Sequence, residues 1–175
     1  MGRKLAKSSG VLTVPNKLLK TKCELVDIQD KVGFRSLCKV LRESWEAAGM
    51  HKGLAANQVG ILQRLILCRF DRKWLPGLTT VEIMVNPEIV WKWGSKNSNE
   101  GCESVGPDRY IVKRPLVGKV RYVDEFGEVK SKVFFYSRLR IICHEVDHLD
   151  GLLLTDVGHK WAGNNLYKKM SKKGK

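Results

Sequence analysis

The chain has 175 residues, enough for one sizeable core burying roughly 70% of the unfolded surface and too few to expect two. Thirty-two lysines and arginines against 18 acidic residues give a formal net charge of +14 and a pI near 9.7, a balance suited to polyanionic partners. No apolar run approaches the ~20 residues of a membrane span, and five cysteines, an odd number without framework spacing, speak against a disulfide scaffold and for a reducing compartment.

The first ten residues, MGRKLAKSSG, are basic and have no apolar stretch behind them, so neither a secretory signal nor a complete transit peptide is expected, and the cytoplasm is the expected location. Phe34, Leu37, Leu41, Trp45 and Ala48 recur at three- and four-residue spacing, which predicts an amphipathic helix over 32–49 ended by Gly49. A turn, GLAANQVG, follows at 53–60. Residues 64–70, 81–85 and 88–93 read as strands, the last two separated by Asn86 and Pro87, with Trp91 and Trp93 expected to pack rather than to form a binding platform. GSKNSN is then expected as a loop that delivers Cys102. Residues 116–124 and 128–136 alternate around Phe126 and Gly127, the pattern of a hairpin, and Ser137 is the expected N-cap of the next helix. The order of elements predicts an α+β fold, a mixed or antiparallel sheet packed on a central helix, in one domain over 1–175 with a basic tail from about 160.

That last helix carries HEVDH. His144 and His148 stand one turn apart, so their side chains point the same way and can hold one metal ion. Glu145 lies beside the first histidine, where a carboxylate can take a proton from a water that the metal activates. The motif is often that of a metallopeptidase, but no Glu occurs after Glu145, and in the longer pattern HExxHxxGxxH this chain matches Gly151 but has Leu154 in place of the last His. The third ligand is therefore sought upstream. Cys102, in EGCES between Gly101 and Ser104, completes a thiolate and two imidazoles and leaves a fourth position open, as in a catalytic rather than a structural site. Cys23, Cys38, Cys68 and Cys143 are expected as core filler.

Three segments in order, GLAANQVG at 53–60, EGCESV at 100–105 and HEVDH at 144–148, resemble the signature motifs of the peptide deformylases, and VLTVPNKLLKTKCE resembles that family's opening strand. The Glu after the Cys resembles the mitochondrial-type branch, which also occurs in bacteria. The resemblance implies a hydrolase that removes the N-formyl group from the initiator methionine of new polypeptides, with Cys102, His144 and His148 as metal ligands and Glu145 as the proton-transfer group. It implies that the Gln58 amide and the backbone N–H of Glu103 meet the oxyanion, and that backbone groups of Gly53 and Gly101 hold the peptide as an added strand. Arg140 and Ile141, about one turn before His144, are expected to border the methionine pocket. An ion pair of Asp147 with Arg114 is expected to stiffen the ligand helix. Ferrous iron is the implied working metal, with zinc, nickel or cobalt as substitutes, although softness and geometry alone suit zinc. Where a glycine and an apolar residue often precede GLAA, this chain has His51 and Lys52, and Ser98 with Asn99 lead into EGC.

Partners expected from this reading are formyl-methionyl nascent chains and, through the basic surface and the lysines from Lys160 to Lys175, the ribosome; DNA and membrane are not expected, and a monomer is. The alternative is a basic RNA- or ribosome-binding protein that keeps a metal fold without turnover. No RNP, KH or helix-turn-helix signature supports it, and aromatic residues are not interleaved with the basic run.

Overall fold

The computed structural model describes residues 10–71 and 79–161, so the basic tail beyond Trp161 lies outside the described residues. Helix α1 (Lys31–Ala47) starts where the Asp30 side chain accepts from the Gly33 N–H at 3.0 Å, satisfying one of the free donors of the first turn. It buries Phe34, Cys38, Leu41 and Trp45, the stripe anticipated from their spacing. Gly49, at φ +92°, takes the left-handed conformation just past the helix end, a conformation open to glycine without a Cβ penalty.

Five antiparallel strands form the main sheet: β1 (Gly53–Ala55), β2 (Leu65–Asp71), β3 (Thr79–Trp93), then β6 (Val117–Val123) and β7 (Val129–Phe135), in the order β1-β2-β3-β6-β7. A smaller antiparallel sheet has the order β4 (Lys96–Cys102), β5 (Gly106–Arg114) and β8 (Gly158–Lys160). Helix α2 (Tyr136–Leu149) lies on one face of the main sheet, where Leu139, Ile142 and Leu149 meet Ile66, Cys68, Phe70, Met84 and Val120. Each of those fully buried aliphatic side chains contributes about 1.5–3 kcal/mol. Helix α1 covers the other face at Leu65, Leu67, Ile83 and Val85. With both faces of β2 covered, the run LILCRF is nearly all apolar instead of alternating. A four-residue helix, α3 (Leu154–Val157), leads into β8.

The expected α+β class and the antiparallel sheet against a central helix are present. Four local expectations are corrected. Asn86 and Pro87 do not break the strand: β3 runs through them with a bulge, Asn86 adopting φ +50° while its side chain exchanges hydrogen bonds with the backbone of Val26 at 2.9 and 3.0 Å. Most of GSKNSN is strand β4, not loop. Ser137 is not the N-cap of α2; Phe135 holds that position and makes no side-chain cap. Trp91 and Trp93 do not pack, being 51% and 65% exposed, because α1 covers the β2 and β3 region of its face and leaves the end near β7 open.

Candidate active site

Two strand ends and one helix converge on the site. β1 and β4 are edge strands of their sheets, and between them lies a cavity of about 550 Å³ whose floor is α2. His144 and His148 project from α2 with ring centroids 5.2 Å apart. Cys102 ends β4 after a bulge between Gly101 and Cys102, which places its Sγ 3.2 Å from His148 Nε2. The ligand atoms of Cys102, His144 and His148 all lie within 4.8 Å of one another. No residue after His148 is needed for a third donor.

The chemistry of this donor set fits a divalent cation. Burial, with the neighbouring His144 adding to it, pushes His148 down to about 3, so its imidazole is neutral, as a metal ligand must be. At His144 burial works the same way, but hydrogen bonding to Cys102 and Glu100 and the Glu145 carboxylate outweigh it and hold the ring up at about 10. A field that favours a proton on that ring also favours a cation beside it. His144 Nδ1 is 3.0 Å from Glu100 Oε2, which fixes the ring and leaves Nε2 available to a metal.

Glu100 is the residue that reading the sequence missed. Its carboxylate is fully buried and receives two parallel bonds from Arg114, Nε and one terminal nitrogen each at 2.9 Å, in addition to the His144 contact. Burial alone would raise its pKa; His144 and Arg114 reverse that and hold it at about 2. Arg114 also donates to Asp147 at 2.5 Å, so the expected Asp147 pair exists but is half of a larger bridge from β4 through β5 to α2. The signal was available: Glu100 stands two residues before Cys102, on the same face of a strand.

Glu145 is buried, and desolvation pushes its carboxyl up to about 7 although the His144 charge opposes the shift. One of its oxygens has no hydrogen-bond partner among the described residues. A Cβ on Gly53 would stand 2.2 Å from the other, so only glycine admits this carboxylate beneath β1. Gln58 is buried in the turn after β1, its Oε1 accepting from the Ala55 N–H at 2.9 Å while Nε2 donates to Ser104 Oγ at 3.0 Å and lies 4.0 Å from Cys102 Sγ. Ser104, which in the sequence only flanks Cys102, orients this amide. Asn57 donates to the His148 carbonyl at 2.6 Å, tying the same turn to α2.

Gly53, Gly101, Glu103, Arg140 and Ile141 all line the cavity with Gln58, Cys102, His144 and Glu145. The Glu103 side chain faces out and pairs with His51 at 3.0 Å across the mouth. All five cysteines are free and buried. Burial pushes Cys23, Cys38 and Cys143 up to about 11 and holds Cys68 well above the usual thiol range, in keeping with packing and not reactivity. No helix among the described residues is long and apolar enough to cross a membrane.

Comparison with known proteins agrees with this geometry. A peptide deformylase of Caldanaerobacter subterraneus subsp. tengcongensis is 44% identical over 59% of this chain, a match that spans 61% of that protein's length. One from Alkaliphilus metalliredigens is 34% identical over 83% of this chain and 93% of its own. The Met-Ala-Ser-bound structure of a class I type b peptide deformylase from Acinetobacter baumannii superposes with a TM-score of 0.74 at 29% identity, covering 84% of this chain and 96% of that one. The family model described as polypeptide deformylase matches residues 9–162, and with this breadth of agreement the chain belongs to the polypeptide deformylase family.

Proposed function

We propose that this protein hydrolyses the N-formyl group of formyl-methionine at the start of nascent polypeptides, releasing formate and a free amino terminus. The observation that carries this reading is the gathering of three metal-ligating atoms, one buried carboxylate and one oriented amide around a cavity that two free strand edges flank. An extended peptide can add to those edges through its backbone, held by Gly53 and Gly101, with little demand on its side chains. The Acinetobacter relative, bound to Met-Ala-Ser, supports such an occupant here.

Cys102, His144 and His148 would hold the divalent metal, ferrous iron in the cell and zinc, nickel or cobalt as substitutes. When bound, it supplies Lewis acidity, lowering the pKa of water toward about 7 and polarising a carbonyl. Glu145 takes the proton from the attacking water, as its raised pKa suits near neutrality. The water oxygen adds to the formyl carbon, and charge developing on the formyl oxygen is met by Gln58 Nε2 and the Glu103 N–H. One such donor is typically worth ~10² to 10³ in rate. Glu145 then gives its proton to the amine nitrogen as the C–N bond breaks. Arg140 and Ile141 border the methionine side chain.

The protein acts as a monomer in the cytoplasm, in keeping with its free thiols, and its basic surface favours weak association with the ribosome. Incubation with formyl-Met-Ala-Ser and with Met-Ala-Ser tests the reading. Formate is expected from the first alone, with the Met–Ala and Ala–Ser bonds intact. Cleavage of those bonds at a comparable rate would restore the peptidase alternative, and absence of formate would favour a binding protein.

A further inference from the structure

Beneath the cleft the charges of Glu100, Arg114, Asp147 and His144 are paired with one another, but along its walls positive charge is left over. Two carboxylates on the walls already have partners: Glu103 faces His51 at 3.0 Å, and Asp108 faces Lys160 at 2.6 Å. Arg109 spends its guanidinium on neutral acceptors, the side-chain and main-chain oxygens of Asn99, at 2.6 and 2.7 Å, so its charge is held in place without being cancelled. Lys52, just before β1, and Arg140, one turn before His144 on α2, line the same cavity and form no ion pair among the described residues. Three cations thus line one cleft, from the residue before β1, from β5 and from α2, with no carboxylate paired to any of them among the described residues, and Arg109 alone is held in place.

Cations gathered around a concave site raise the local concentration of anionic ligands and favour their binding. A peptide added to the edge of β1 or β4 sends successive side chains to opposite sides, so the residues after the methionine run out along the walls that Lys52 and Arg109 occupy, with Arg140 at the boundary between those walls and the methionine pocket. Resting on the deformylase reading above, we propose that this cleft selects formyl-methionyl chains with an acidic side chain at the second or third residue. Lys52 and Arg140 act as specificity residues, while Arg109, clamped by Asn99, gives the cationic wall a fixed position.

The test uses metal-loaded full-length protein and peptide amides, whose blocked carboxyl ends add no charge: formyl-Met-Glu-Ala, formyl-Met-Gln-Ala and formyl-Met-Lys-Ala, with the matching set changed at the third residue. At low ionic strength kcat/KM for formate release is expected to favour Glu over Gln by about three- to tenfold at one of the two positions, the scale of a charge pair at a protein edge, with Lys lowest. The ratio should fall toward one in ~1 M salt. Lys52→Gln and Arg140→Gln should each lower the Glu/Gln ratio, which is measured within one preparation and so does not depend on the folded fraction. A Glu/Gln ratio of one or less at both positions overturns the proposal, as does a ratio unchanged in both variants. Failure of the neutral Gln peptides to yield any formate would instead overturn the deformylase reading on which it rests.

Discussion

The floor and the rim of the cleft are both rich in charge, and they use it in opposite ways. On the floor, Glu100, Arg114 and His144 are nearly inaccessible, and each of these three charges is matched by a short, directed bond. At the rim, His51 and Glu103 are 54% and 35% exposed, and Lys52 and Arg140 lack carboxylate partners among the described residues. Buried charges cannot be left unpaired, so the floor tolerates almost no change; solvated ones can, so the rim can vary without touching the chemistry. On the proposed reading, reaction type is set below and substrate preference above.

The largest expected effect lies on the floor. Glu145→Gln preserves size and hydrogen-bonding capacity but removes the proposed proton acceptor, so it should keep fold and metal while losing formate release by ~10² or more. Near-normal turnover would remove Glu145 from proton transfer. Arg114→Met should come next: it strands the Glu100 carboxylate in the interior, and breaking a buried pair in this way costs about 3–5 kcal/mol, readable in the urea midpoint. A loss under ~1 kcal/mol would mean that the bridge is not structural.

Glu100 also gives the floor an acid dependence. Its folded pKa of about 2 is below the ordinary 4.5, so its stabilisation is fully present above about 4.5 and is lost as pH falls toward about 2. Between pH 6 and pH 3 the urea midpoint of the wild type should therefore fall more than that of Glu100→Gln. Parallel curves would show that Glu100 is not the group responsible. The rim should give the smallest effect. His51→Ala removes a half-exposed pair and should change stability by less than ~1 kcal/mol, with formate release from a neutral peptide nearly unchanged. A severe loss would erase the division between floor and rim.

How much of this was legible in the sequence follows the same division by length scale. His144, Glu145 and His148 share one helical turn, so their spacing alone declared them, and the amphipathic stripe of α1 was equally local. Cys102 arrives from 42 residues upstream and was found by its motif and chemistry. The polar bridge was harder. In β4 the inward positions are Ser98, Glu100 and Cys102, so a strand that buries polar atoms reads by hydropathy as the loop that was expected. β5 was not anticipated at all, because Arg109, Lys113 and Arg114 interrupt its buried Tyr110 and Val112. Trp91 and Trp93 misled in the other direction: aromatic residues on a strand imply packing only where something covers them, and where α1 stops is a tertiary fact.

The central claim is that Cys102 from β4 and two histidines from α2 hold one metal ion jointly. Metal content and the thiolate absorption of cobalt-loaded protein, compared between wild type and Cys102→Ala, test it most directly. One equivalent with a sulfur-to-metal band is expected in the wild type, and loss of the band with most of the metal in the variant. A full equivalent with an unchanged spectrum in Cys102→Ala would contradict the account.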